Sequence, residues 1–205
     1  MQRTRRVYLP DVSLHVIRRG NNRAPIFGDE TDFEFILALL EFTSGRCGVD
    51  VHGYGMMTNH YHLMVTPRSA AALPRMMRDL GREYVLRYNR KYGRIGTLWA
   101  GRHRAIPITD ERYWLTCLRY IEQNPVRARM VDHPGDYKWS SFQAHGMGQS
   151  VPWLTPHPVY LALGSTPQER QIAYRAVCGE TLNAAELTRQ RHGLVCRRAP
   201  EAEVT

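Results

Sequence analysis

The chain has 205 residues, 43% of them hydrophobic and 23% charged, a balance typical of a globular protein that can build its own core. There is no run of about 18 apolar residues and no apolar segment behind the basic N-terminus, so we expect no membrane span and no secretory signal, and we expect a cytoplasmic location. The formal net charge of +9 favours a polyanionic partner, most simply nucleic acid.

The positive charge is concentrated in one part of the sequence. The stretch from Arg68 to Arg104 contains ten Lys or Arg and two acids, whereas the first 50 residues contain seven of each. This block indicates a nucleic-acid surface; a solvated helix face with few acids is the alternative.

The first elements in chain order are a strand and a helix. Ser13–Arg19 alternates in polarity and predicts a strand. After a turn-rich segment, Thr31 and Glu34 form a capping-box pattern, which predicts a helix that runs to about Ser44, ahead of two glycines.

A hairpin, a long helix and a fourth strand follow. Two strands joined by a turn at Thr58–Asn59 are predicted from residue 49 to Pro67. The apolar positions from residue 72 onward keep helical spacing as far as the glycine at position 93. Residues 102–108 predict a short strand, and Pro107 places it at a sheet edge because proline has no N–H to donate.

A third helix begins at Thr109 or Asp110 and is limited by Pro125. Its apolar stripe consists of Trp114, Cys117, Leu118 and Ile121. Beyond Met130 the sequence becomes richer in proline and glycine, and its later helical patterns are weaker.

The order β-α-β-β-α-β predicts an α+β fold of the ferredoxin-like, split βαβ type. Its four-stranded antiparallel sheet has helices on one face, and the third helix follows the sheet directly. We expect residues 1–130 to form this domain. Residues 131–205 should form a mostly helical appendage packed on it, with a flexible tail from about residue 193.

Two histidines alternate on the second hairpin strand. His60 and His62 lie two residues apart, so they share one face of the strand, while Tyr61 and Leu63 supply the face that the helices bury. We expect the histidine face to be the more open one. Two neighbouring neutral imidazoles suit a divalent metal, although two unrelated surface histidines are the simpler reading of this spacing alone.

The third helix carries polar groups outside its apolar stripe. Tyr120 and Asn124 lie four residues apart, which is one helical turn. The carbonyl oxygen of Asn124 is a candidate third metal ligand, with Glu122 and Gln123 as competitors, and Tyr120 would stand beside the metal. The alternative for Tyr120 is a half-buried tyrosine with a solvated hydroxyl.

Candidate nucleic-acid contacts fall in three segments and at Arg18 of the first strand. Each has a plain alternative as a solvated surface residue or, for the two asparagines, as turn chemistry. Phosphate contacts are expected from the edge strand and the second helix, and base-edge contacts from the first loop. The residues are Arg18, Asn21, Asn22, Arg23, Arg82, Arg87, Lys91, Arg102, His103 and Arg104.

Several segments in the same order resemble the REP-associated tyrosine transposases, a group of HUH nucleases related to the single-tyrosine transposases of insertion sequences. The similar segments are HVIRRGNNRAPIF, MTNHYHLMV, GTLWAGRHRA, RYIEQNPVRARMV, DYKWSSFQAH and LTPHPVYLALG, between Tyr8 and Tyr174. Asn124 occupies the position at which the insertion-sequence relatives carry glutamine.

The resemblance implies that His60 and His62 bind Mg²⁺ or Mn²⁺ and that Tyr120 is the nucleophile. It also implies cleavage and joining of single-stranded DNA next to a REP-type hairpin through a 5′-phosphotyrosine, by a monomer or homodimer associated with the nucleoid. Two other functions stay open: a hairpin-binding protein without cleavage, and a metal hydrolase, for which no motif supplies a positioned base.

Overall fold

The computed structural model describes residues 8–179. Its main elements are β1 (Ser13–Arg19), α1 (Glu30–Cys47), β2 (Val49–Met57), β3 (His60–Pro67), α2 (Ala72–Lys91), β4 (Arg104–Ile108) and α3 (Glu111–Glu122). Four further helices follow: α4 (Asn124–Arg127), α5 (Phe142–His145), α6 (Pro158–Leu161) and α7 (Pro167–Gly179). The strands form one antiparallel sheet in the order β2-β3-β1-β4, which confirms the predicted ferredoxin-like topology and places β4 at an edge.

The main core lies between the sheet and the helices α1 and α2. Tyr61, Leu63 and Val65 of β3 are completely buried there, against apolar side chains from both helices. The alternation of β3 therefore points its apolar residues toward the helices, as predicted.

A second core covers the opposite face of the sheet. Met64 of β3 packs there with Trp114 and Leu118 of α3, and Phe142 and Tyr174 from the later part of the chain complete it. The expectation that the histidine face is open is wrong for His62, which is 3% exposed, because α3 and the segments after it cover this part of the sheet.

Two glycines of β2 let α3 approach the sheet closely. A Cβ on Gly53 would lie 2.4 Å from Leu118 Cδ1, and a Cβ on Gly55 would lie 3.0 Å from the backbone oxygen of Ile121. Gly55 pairs with His62 in the sheet, so the close approach occurs directly beside the histidine.

The first helix differs from its predicted ends. Its N-cap is Asp29, whose side chain accepts a hydrogen bond from the backbone N–H of Thr31, so Thr31 is not the cap. The helix continues through Gly45 and ends at Gly48, whose φ of 71° is the left-handed conformation that favours glycine. At α3, the predicted cap is confirmed: Asp110 accepts from the N–H of Tyr113.

Residues after 130 continue the structure beside β2. The N–H of Met56 donates to the carbonyl of Trp139 and the N–H of Ser141 donates to that of Tyr54, so this segment covers the β2 edge. Within residues 8–179, no helix is both long and apolar enough to cross a bilayer. The tail predicted from residue 193 lies outside the described residues, and the division at residue 130 stays a prediction.

Candidate functional site

The site begins with the two histidines of β3. His62 is buried and His60 is partly exposed at the start of the strand, and their ring centroids lie 4.9 Å apart. The structure thus brings the two imidazoles into direct contact on the α3 face of the sheet.

Both imidazoles are held in the neutral form at neutral pH. Burial lowers the pKa of His60 to about 4, with a smaller contribution from the positive charge of Arg19. Burial also lowers the pKa of His62 well below its usual value, and the neighbouring His15, His60 and Arg127 act in the same direction. A neutral imidazole keeps a nitrogen lone pair, which a metal ion requires.

Hydrogen bonds engage the Nδ1 atom of each histidine. His60 Nδ1 donates to the Oδ1 of Asn59 at 2.7 Å, and His62 Nδ1 lies 2.8 Å from the Nε2 of His15. In the tautomer with His62 Nδ1 as the donor, both Nε2 atoms keep their lone pairs for a cation. Partners of this kind are typical of metal-binding histidines, because they fix the tautomer and the ring orientation.

Sequence reasoning missed His15. It lies on β1 opposite Met64, is 1% exposed, and stacks on His62 with a centroid distance of 5.0 Å. Strand parity was the available signal: His15 alternates with Leu14 and Val16, which face the main core. The register between β1 and β3, which brings His15 to His62, could not be read from the sequence.

Tyr120 of α3 lies directly over the histidines. Its ring centroid is 6.0 Å from that of His62 and 6.2 Å from that of His15, both in edge-on arrangements. The residue is 4% exposed and packs in the second core, so it does not lie outside the apolar stripe as expected, and it is not the half-buried tyrosine of the alternative reading.

Asn124 lies one turn after Tyr120 and is 8% exposed. Its Nδ2 donates to the carbonyl of Tyr120 at 3.0 Å, and this leaves the side-chain oxygen as the atom that can bind a cation. The two competitors have other partners. Glu122 accepts hydrogen bonds from Ser141 and from Tyr174, and Gln123 donates to the carbonyl of Cys178.

The residues present fit a divalent cation with imidazole and carbonyl ligands. Two neutral imidazoles and one amide oxygen make a donor set of suitable chemistry. Within residues 8–179, no three His, Cys, Asp or Glu side chains group in a way that could hold a metal ion. Asn124 stays the predicted third ligand.

Two arginines that were not predicted lie at the site. The Cζ atom of Arg127 is 4.1 Å from the ring centroid of Tyr120. The charges of Arg19 and Arg127 both contribute to the low pKa of His62. Arg104 is a predicted DNA contact on this face, because it pairs with Ile17, which in turn pairs with His62.

The first loop lies beside the histidines. Asn21, Asn22 and Arg23 are exposed in a short 3-10 turn, and the carbonyl of Arg23 accepts a hydrogen bond from the side chain of Asn59. Because Asn59 precedes His60, these three predicted DNA contacts lie at the rim of the site.

The predicted contacts on α2 lie on the other face of the sheet. Arg82 pairs with Glu83 at 3.3 Å, Arg87 stacks on Phe35 at 4.3 Å, and the Nζ of Lys91 bonds to Asp29 at 2.6 Å. The structure does not bring these side chains to the histidines.

Arg18 and the residues before β4 complete the predicted set. Arg18 faces the α2 side, where it donates to the carbonyl of Met77 and lies 4.4 Å from the Trp99 ring. Arg102 is exposed and His103 contacts the Tyr8 hydroxyl at 3.1 Å, so both lie at the β4 edge.

Comparison with known proteins gives one family. A sequence model of the family described as "Transposase IS200 like" matches residues 8–124. No curated protein matches the chain. A solved REP-associated tyrosine transposase bound to a REP hairpin is 16% identical with a TM-score of 0.60, and the match covers 78% of this chain and 93% of that one. This likeness shows the fold.

Two further solved structures are more distant. A protein from Deinococcus radiodurans described as a candidate transposase is 15% identical, with a TM-score of 0.41 and coverage of 54% of this chain and 89% of that one. The tRNA(His) guanylyltransferase of Saccharomyces cerevisiae is also 15% identical, with a TM-score of 0.42 and coverage of 89% and 84%. Both likenesses are too weak to bear on function.

Proposed function

The chain belongs to the family of IS200-like transposases, and from this we propose that it is a metal-dependent endonuclease and strand transferase of single-stranded DNA with Tyr120 as its nucleophile. The observation that carries the proposal is the contact of the Tyr120 ring with His62, a candidate metal ligand, and with His15, which holds His62 in place, at centroid distances near 6 Å. A phenol beside a metal-binding imidazole is an arrangement that suits tyrosine attack on a phosphodiester.

His60, His62 and Asn124 would hold Mg²⁺ or Mn²⁺. When bound, the ion supplies polarisation of the scissile phosphate and neutralisation of the charge that develops on its oxygens. The low pKa values of His60 and His62 keep both ligands available for the ion throughout the neutral range. His15 and Asn59 hold the two rings in place through the Nδ1 atoms.

Tyr120 performs the covalent step. Its hydroxyl oxygen, after loss of its proton, attacks the phosphorus in line, and the bond from phosphorus to the 3′ oxygen breaks. The products are a 5′-phosphotyrosine and a free 3′-hydroxyl. Because the phosphodiester is exchanged and not hydrolysed, a 3′-hydroxyl can attack the phosphotyrosine and rejoin the same strand or another without ATP.

We propose single-stranded DNA next to a REP-type hairpin as the substrate. The solved transposase with the same fold is bound to such a hairpin. In this chain, Asn21, Asn22 and Arg23 border the histidines, and Arg102 and Arg104 lie on the β4 side, so polar and basic groups flank the site. The enzyme would act in the cytoplasm at the nucleoid, as a monomer or homodimer.

A second candidate is a hairpin-binding protein without cleavage activity. The observation that favours it is the burial of Tyr120, which is 4% exposed beneath Arg127. A tyrosine buried to this extent can serve as a core residue without acting as a nucleophile.

The experiment that tests the proposal uses a hairpin oligonucleotide labelled separately at its 5′ and 3′ ends. We expect a covalent adduct that carries the 3′ portion of the strand and forms with Mg²⁺ or Mn²⁺. The adduct should be absent with a chelator and absent in Tyr120→Phe, which keeps the ring and removes the hydroxyl. Binding without an adduct under either metal would support the second candidate, and cleavage to two free ends by Tyr120→Phe would indicate a metal hydrolase.

A further inference from the structure

Two guanidinium groups at the site have no carboxylate partner among the described residues. Arg127 lies over the Tyr120 ring at 4.1 Å and is exposed, and Arg19 is exposed at the end of β1. None of the described ion pairs includes either residue. By contrast, two of the three α2 cations predicted as DNA contacts, Arg82 and Lys91, are each paired with a carboxylate, and the third, Arg87, lies over the Phe35 ring.

We propose that Arg127, assisted by Arg19, forms the binding site for the scissile phosphate and acts in catalysis by holding that phosphate against Tyr120. The inference rests on the proposed function and adds to it a residue that the sequence analysis did not consider.

The chain segment that carries Arg127 is built into the site. Asn124 begins the four-residue helix α4 directly after α3, and Arg127 ends it, with its N–H donating to the carbonyl of Gln123. Residues three apart on a helical turn share one face. One turn therefore connects the candidate metal ligand to the arginine that contacts the Tyr120 ring.

The charge of the site favours an anion. Two positively charged side chains, Arg127 and Arg19, lie at the site. Glu122, two residues after Tyr120 on α3, is fully buried and bonded to Ser141, His145 and Tyr174. The positive charge is thus left uncompensated until a phosphate enters.

The position of the Arg127 guanidinium over the Tyr120 ring suits this role. A guanidinium is planar and presents N–H groups that match two oxygens of a phosphate. Contact with the ring also fixes the side chain, so less rotamer entropy is lost when the phosphate binds. A lysine at the same position would keep the charge and lose both features.

The test measures binding in the Tyr120→Phe background, which preserves the ring under Arg127 and prevents turnover. Hairpin oligonucleotides carry a neutral methylphosphonate at one linkage at a time. With the natural strand, we expect Arg127→Ala to weaken binding by about tenfold. With the methylphosphonate at the scissile linkage, Arg127→Ala should cause no further loss. The control is Arg82→Ala, on the far face of the sheet. Its effect on binding should be the same with the natural strand and with the strand that carries the methylphosphonate at the scissile linkage.

A kinetic arm uses the protein with Tyr120 intact. We expect Arg127→Ala to lower the single-turnover rate of adduct formation by at least about 100-fold, with only partial recovery in Arg127→Lys. Millimolar guanidinium should restore part of the rate in Arg127→Ala and none in the parent protein. Affinity for Mn²⁺ alone and thermal stability should stay unchanged, which separates phosphate binding from loss of structure.

The failures of the two proposals are distinguishable. If the parent protein forms no adduct, the cleavage proposal fails while the methylphosphonate series still reports on the Arg127 contact. If adducts form at an unchanged rate in Arg127→Ala, or if the binding loss persists with the neutral scissile linkage, the role of Arg127 is overturned.

Discussion

His15 is the residue that distinguishes the candidate metal site from two neighbouring surface histidines. It is 1% exposed and its Nε2 lies 2.8 Å from the Nδ1 of His62. Burial lowers the pKa of His15 to about 3, so it stays neutral and can accept a hydrogen bond at neutral pH. The bond orients His62 and directs the lone pair of its Nε2 away from β1.

We predict that His15→Leu lowers the affinity for Mn²⁺ by about tenfold or more, because His62 loses the partner that sets its tautomer. His15→Gln should retain most of the affinity, since its amide oxygen can still accept from Nδ1. Mn²⁺ binding measured by electron paramagnetic resonance in the absence of DNA checks this. Equal affinities for His15→Leu and the parent protein would contradict a positioning role.

At the level of residues, the sequence predicted what local spacing determines. His60 and His62 share a face because strands alternate, and Tyr120 and Asn124 lie one turn apart because helices repeat after 3.6 residues. Each pair is contained in one segment. His15 and Arg127 join the site through the pairing of β1 with β3 and through the turn after α3, which no local pattern specifies.

The position of α3 depends on two glycines of its neighbouring strand. Gly53 and Gly55 alternate on β2, so both face α3, and the missing side chains bring the helix close to the sheet. Because Gly55 pairs with His62, the same contact sets the distance between α3 and the histidines.

We predict that Gly55→Ala destabilises the fold by about 1–3 kcal/mol, because its Cβ would lie 3.0 Å from the backbone oxygen of Ile121 and α3 must shift. The rate of adduct formation should fall by at least about tenfold, since a 1 Å displacement of a reacting group is costly. Urea unfolding and single-turnover assays measure the two effects.

Gly45→Ala is the matched control for this substitution. Outside the helix's own backbone, no atom lies within 4 Å of a Cβ at Gly45. The free energy of unfolding of this variant should therefore rise by about 0.5–1 kcal/mol, and its activity should be unchanged. If Gly55→Ala behaved like this control, the close approach of α3 would not be needed to place Tyr120.

Elements were predicted more securely than their ends. The apolar spacing of α1 gave the helix, but Gly45 does not end it, because the cost of one glycine is small against the burial of Ile36 and Leu40. The helix ends where Gly48 takes a positive φ, a conformation that the sequence alone did not distinguish from that of Gly45.

Buried and partly buried histidines also affect the stability of the whole molecule. Desolvation lowers the pKa of His15 to about 3 and that of His157 to about 4, and it lowers the pKa of His52. The unfolded chain binds protons at these positions near pH 6.5, whereas the folded chain binds them only at the lower values. As the pH falls, the unfolded state therefore gains protons first and stability is lost.

We predict that the free energy of unfolding declines between about pH 6.5 and pH 4.5, by up to about 1.4 kcal/mol per pH unit for each fully buried neutral histidine. Urea unfolding at a series of pH values measures the slope. His157→Gln should decline less steeply than the parent protein. A stability that is constant or rises as the pH falls through this window would show that these histidines are already protonated in the folded state.

At the scale of the molecule, the distribution of charge and the second core were the least predictable features. The basic stretch from Arg68 to Arg104 divides between α2, which packs on one face of the sheet, and β4, which forms an edge of the sheet. The segments after Met130 share a core with α3 through Phe142 and Tyr174. Both features follow from tertiary contacts that residue counts do not contain.

The most direct test of the central claim, attack by Tyr120 on DNA, is to locate the nucleotide on the protein. After reaction with the hairpin strand and Mn²⁺, nuclease and trypsin digestion should leave a nucleotide on the peptide from Tyr120 to Arg127, detected by mass spectrometry. We predict that the nucleotide is attached to Tyr120 and that no attachment is detected when chelator is present. An unmodified Tyr120 together with a nucleotide on another residue would contradict it.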